Sequence, residues 1–160
     1  VPLPGGSRSS QTDVWAVLRG PSGLISMAVE AKAEESFGAT IATRLKEDSK
    51  GKQQRLTYLN DILKLPGGFE DSIRYQLLHR TASAIIEARR IGANAAVMMV
   101  QSFRGASPSE ADYVAFGAAL GARLAPERLV RVEGHADPQL FLGWATSGVC
   151  TDADAIRAVV

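Results

Sequence analysis

Residues 12–32 read TDVWAVLRGPSGLISMAVEAK, two apolar stretches rich in strand formers on either side of the turn signal Gly20-Pro21-Ser22-Gly23. The pattern predicts a β-hairpin whose loop centres near Pro21. Folding it antiparallel brings Asp13 roughly opposite Val29 or Glu30. Side chains alternate along a strand, so Glu30 and Lys32 share one face with Ser26 and Ala28. Met27, Val29 and Ala31 take the other face, which reads as core. The anomaly is charge: Asp13, Glu30 and Lys32 stand on strands that otherwise look buried.

Outward from the hairpin, residues 1–11 (VPLPGGSRSSQ) read as an irregular arm. Residues 39–65 carry a helical pattern broken near Ser49 to Gly51, with Leu56, Leu59, Ile62 and Leu63 on one side. The segment KEDSKGKQQR, residues 46–55, gathers Lys46, Lys50, Lys52 and Arg55 in what reads as a flexible, solvated surface loop, with a loop that tracks a nucleic-acid backbone as the alternative. A second helix is expected from Ile73, capped by Asp71 or Ser72 and ended by Gly92. Its apolar stripe is Ile73, Leu77, Ala84, Ile85 and Ala88, and its polar face is Gln76, Arg80, Ser83 and Glu87. Residues 93–103 (ANAAVMMVQSF) are apolar enough for a central strand covered on both faces. A small helix (residues 110–121), a strand pair joined through HADPQ and a short C-terminal helix over residues 152–160 complete the reading. The order predicts one α/β domain with a mixed central sheet flanked by helices.

The chain has 160 residues, 46% hydrophobic and 22% charged, enough for one domain with its own core. Eighteen basic and 17 acidic residues leave a net charge of +1, so any basic surface must be a local patch. Cys150 is the only cysteine, which excludes an intramolecular disulfide and a cysteine zinc cluster, and is compatible with a reducing, cytoplasmic setting. The longest apolar run, residues 93–100, is too short to span a bilayer, so no membrane partner is expected.

Two carboxylates that meet across a hairpin offer hard oxygen ligands suited to Mg²⁺ or Mn²⁺. A lysine two residues beyond one of them points to the same side and is placed to orient water or stabilise charge at a phosphate. Asp13, followed by Glu30-x-Lys32 on a hairpin, then a helix, then an apolar strand, resembles the PD-(D/E)XK nuclease superfamily, the restriction-endonuclease-like fold, over roughly Asp13 to Phe103. The resemblance implies phosphodiester hydrolysis in nucleic acid, DNA before RNA, with Asp13 and Glu30 as metal ligands and Lys32 as the catalytic lysine. It is compatible with a homodimer. Some members, the RecB-type exonucleases, carry a glutamine and a tyrosine on the following helix. Tyr75 and Gln76 lie on such a helix here, without that motif's order and spacing, and Gln76 is carried over as a site residue. His79 and Arg80 on the same helix are expected to reach nucleic-acid phosphate. Thr12 stands where many members have proline. Twelve residues precede Asp13, so the helix and strand that open the superfamily core are expected to be absent from this chain or rearranged.

The plainer alternative is that Asp13 caps a turn and Glu30 pairs with Lys32 on an exposed face, for well under about 1 kcal/mol. A catalytically inactive nuclease-fold interaction or DNA-binding module is the second functional reading. Glu34 alternates onto the Glu30 face and is a candidate extension of the site. His135 with Asp137 reads as a hairpin turn, and Cys150 as inert.

Overall fold

The hairpin forms where the alternation places it. In a computed structural model, which describes residues 1–47, 49–65, 67–103, 108–125 and 128–147, strand β1 (Val14–Gly20) pairs antiparallel with β2 (Gly23–Lys32). Val14 faces Val29 and Gly20 faces Gly23. Asp13 therefore stands one step beyond the last pair, in line with Glu30.

After β2 come α1 (Ile41–Leu45), α2 (Lys50–Ile62) and α3 (Tyr75–Ile91). The break between α1 and α2 falls where the sequence weakens, and Ser49 caps α2 by accepting from the Lys52 N–H at 3.3 Å. The basic segment is thus not a loop over its second half. Lys50, Lys52 and Arg55 belong to α2, and Arg55 is buried. Helix α3 begins at Tyr75 rather than at Ile73. The Ile73 carbonyl accepts from the Ile41 N–H and the Ala39 carbonyl accepts from the Tyr75 N–H, so residues 73–74 are held extended against residues 39–41. Asp71 and Ser72 consequently do not cap it. Gly92, at φ 65°, ends it as expected.

Strand β3 (Ala95–Ser102) runs parallel to β2 and to β5 (Gln139–Thr146), with α4 (Pro108–Ala119) and β4 (Leu129–Ala136) between β3 and β5 in sequence. Strand β4 pairs antiparallel with β5, giving a five-stranded mixed sheet in the order β1-β2-β3-β5-β4. The protein is mixed α/β, with helices against this sheet. Residues 148–160, including Cys150 and the expected C-terminal helix, lie outside the described residues. Among the described residues no helix is long and apolar enough to cross a membrane.

The helices determine which sheet face is core, and they reverse the expectation. Ser26, Ala28, Glu30 and Lys32 are all buried, whereas Met27, Val29 and Ala31 are half-buried. The buried set lies in register with Ala96, Met98, Val100 and Ser102 of β3, and through them with Leu140, Leu142 and Trp144 of β5. Helix α3 packs on β2 and β3, and its inner surface is rich in small residues, Thr81, Ala82, Ser83, Ala84 and Ala88, all buried. Small side chains on both sides let helix and sheet approach closely, so space is filled at the density of a close-packed interior. Leu77, Leu78 and Ile85 are fully buried on the same helix, each worth about 2 kcal/mol of burial. From α4, Tyr113 stacks on Phe37 and packs against Trp144, while its hydroxyl donates to the Met98 carbonyl (3.1 Å) and accepts from the Gly143 N–H (3.0 Å). Strand β3 is central, as expected, and on its opposite face Val97 is buried while Met99 is half-buried.

Candidate active site

Glu30 is 2% exposed and takes three polar partners. Its Oε1 accepts from Lys32 Nζ (3.2 Å) and Gln76 Nε2 (2.5 Å), and its Oε2 accepts from Arg80 Nε (2.7 Å). The strand period supplies Lys32, two residues along the same face. The helix period supplies Gln76 and Arg80, four residues apart and one turn above the other. The polar face of α3 therefore lies over β2 rather than in solvent.

Lys32 is itself 4% exposed. Its ammonium lies 3.7 Å from Glu35 Oε1 and 5.1 Å from the centre of the Phe37 ring. Glu35, not Glu34, extends the charge cluster, because the strand ends at Lys32 and alternation ends with it. Glu35's own backbone N–H, then that of Ala33 and the Lys32 charge, hold its carboxyl below the usual range. Glu30 and Lys32 do pair, as the plainer reading expected, but in the interior instead of on an exposed face.

Asp13 is exposed, and its Oδ2 accepts from the Ala31 N–H at 2.8 Å. That bond fastens the start of β1 to β2 at the residue between Glu30 and Lys32. Of the six expected site residues, Glu30, Lys32, Gln76 and Arg80 thus meet directly, and Asp13 adjoins them through the backbone. His79 turns aside, with Nδ1 2.9 Å from Ser10 Oγ and its ring 5.3 Å from that of Tyr75. Burial first, then the charges of Arg80, Arg44 and Arg55, lower its pKa from 6.5 to about 3. It is a neutral imidazole near pH 7.

Ser10 is the participant that the sequence does not mark. Buried at 5% exposure, it donates to the His79 carbonyl (3.2 Å) and lies 3.5 Å from Arg80 Nη1. A serine in an irregular arm has no periodicity to single it out. His135, the other histidine, donates from Nε2 to the Leu63 carbonyl (3.3 Å) and is buried, which lowers its pKa. It serves packing between β4 and the end of α2.

The donor chemistry at the site fits a hard divalent cation in type, since Asp13 and Glu30 offer only carboxylate oxygens. Among the described residues no group of three acidic, histidine or cysteine side chains is placed to hold a metal. Both oxygens of Glu30 are already engaged by nitrogen donors. No curated protein and no solved structure matches the chain. Residues 1–148 match the model of a family described as "Domain of unknown function (DUF6946)", and the chain belongs to that family.

Proposed function

We propose that this protein is a metal-dependent phosphodiesterase acting on nucleic acid, a nuclease of the PD-(D/E)XK kind with a restriction-endonuclease-like fold. The observation that carries the reading is the convergence of Lys32 and Gln76 on the buried Glu30 carboxylate, with Asp13 in register beside it. Asp13 and Glu30 would hold Mg²⁺ or Mn²⁺, which when bound acts as a Lewis acid and lowers the pKa of attached water. Gln76 donates to Glu30 Oε1 and fixes the carboxylate's orientation. Lys32, confined between Glu30, Glu35 and Phe37, presents its ammonium beside that carboxylate, where it can position a water or stabilise developing charge on a phosphate.

A second reading, a catalytically inactive nuclease-fold module that binds DNA or a partner, is favoured by the Arg80–Glu30 ion pair. With side chains 12% and 3% exposed, that pair neutralises the carboxylate a metal would need. One experiment separates the two. Plasmid DNA, single-stranded DNA and RNA are incubated with the protein in Mg²⁺ or Mn²⁺, and wild type is compared with Lys32→Ala and Glu30→Gln, each checked for fold by circular dichroism. The nuclease reading expects metal-dependent cleavage that falls at least about a hundredfold in both variants. Equal cleavage by wild type and Lys32→Ala removes the lysine from the mechanism. No cleavage by wild type, with nucleic-acid binding retained, selects the inactive module.

A further inference from the structure

Tyr75 and Gln76 are adjacent on α3, yet they serve different places. Gln76 turns to Glu30, while Tyr75 lines a cavity of about 320 Å³ between the N-terminal arm, α1 and the start of α2. The charged side chains lining it are Arg8, Arg44, Lys52 and Arg55, and among the described residues no carboxylate joins them. In a chain of net charge +1, this is a concentrated positive patch.

Arg55 makes the imbalance costly. It is 7% exposed and forms no ion pair with a described carboxylate. Its guanidinium instead donates to three main-chain carbonyls, Pro4 (2.8 Å, from Nε) and Leu3 and Gly6 (3.1 Å each, from Nη2). Neutral carbonyl dipoles accept these hydrogen bonds but leave a buried charge without a counter-charge among the described residues. Arg44 lies over the Tyr75 ring at 4.9 Å, so its charge also faces this cavity. The N-terminus of the 13-residue α2 opens on the same space through Ser49 and Lys52, adding the positive end of its dipole. The wall opposite is fixed in place. Gly5, at φ +75°, lies so close to α2 that a Cβ there would stand 1.9 Å from the Gly51 carbonyl oxygen.

We propose that this cavity binds a phosphoryl group, held by Arg8, Arg44 and Lys52, with Arg55 and the first turn of α2 supplying fixed positive potential. The group is either free phosphate or the phosphate of a nucleic-acid strand; the chemistry of recognition is the same. This site is separate from Glu30 and does not depend on the nuclease reading.

Calorimetric titration of the full chain with sodium phosphate, ionic strength held constant with sodium chloride, tests it. Wild type should bind saturably at one site. The double substitution Arg8→Gln and Arg44→Gln, both at exposed positions and therefore compatible with folding, should weaken binding by roughly tenfold or more. No saturable binding by wild type, or unchanged binding by the double variant, overturns the proposal. Asp48 lies outside the described residues, so Asp48→Asn is titrated as well. Phosphate binding by that variant but not by wild type also overturns the proposal, because the cavity's anion would then be the chain's own. A labelled oligonucleotide without terminal phosphates identifies the source. Binding that falls in the double variant points to a nucleic-acid backbone. Phosphate binding with no oligonucleotide binding points to free phosphate.

Discussion

At the scale of single residues, partners rather than residue type decide what each charge does. Glu30 and Lys32 stand two apart on a strand, a spacing that fits an exposed pair as well as a catalytic one. Gln76 and Arg80, 46 and 50 residues away, convert the pair into a buried network. The shared face of Glu30 and Lys32 and that of Gln76 and Arg80 were legible because strand and helix periods are local properties of the chain. Ser10, Glu35 and the burial of Arg55 were not, because each depends on an irregular segment whose path only packing determines. His79 carries a prediction at this scale. The folded protein refuses its proton until about pH 3, whereas the unfolded chain accepts it near 6.5. Within that window the unfolded state binds more protons, so stability rises with pH and is lost as pH falls from 6.5 towards 3. His79→Gln should flatten the dependence by up to about 1.4 kcal/mol per pH unit relative to wild type. Urea denaturation of both proteins between pH 4 and 7 measures it, and parallel curves would refute the assignment.

At the scale of elements, the departures from expectation have one physical origin. Hydrophobic periodicity marks where a helix belongs, but its ends respond to what the flanking backbone bonds to. Helix α3 starts at Tyr75 because residues 73–74 bond to residues 39–41, and α2 absorbs its basic segment because Ser49 caps it. The arm over α2 is the least legible element, for it has no periodicity and is seated by Arg55 and by close backbone contact. Two glycines with similar φ test that seating. Gly92 (φ 65°) has no atom within 4 Å of the place a Cβ would occupy, so Gly92→Ala should cost about 1–2 kcal/mol from the left-handed conformation alone. Gly5 (φ +75°) faces the Gly51 backbone, so Gly5→Ala should cost about 3 kcal/mol, as the arm lifts and Arg55 loses its carbonyl partners. Equal losses in urea unfolding would show that the arm is not held this way.

At the scale of the molecule, α3 packs on one face of the sheet, and burial of β2 follows that face, while in β3 Val97 is buried on the other. Met98, in the central strand beneath the helices, is fully buried, while Met27 on the other face is half-buried. Met98→Ala should destabilise by about 3 kcal/mol and Met27→Ala by about 1 kcal/mol, read from urea midpoints at constant m-value. Comparable losses would mean that the second face is packed as tightly as the first. The edge strand β1 belongs to the same picture, with Val14, Trp15, Val17 and Leu18 each more than 40% exposed.

By itself the sequence determined most of the elements and the existence of the hairpin, since a turn signal and a two-residue alternation act over a few residues. From these followed a mixed α/β protein and the placing of Asp13 opposite Val29 or Glu30, between which the pairing of Val14 with Val29 selects Glu30. Alternation defines two faces of a strand without saying which one a distant helix will cover. That choice belonged to the tertiary structure. Helix α3, rich in small residues, packs on the face of β2 that carries Ser26 and Ala28, and burying that face carries Glu30 and Lys32 inside with it. A buried carboxylate needs partners, and Gln76 and Arg80 became those of Glu30 only when the chain brought them across 46 and 50 residues.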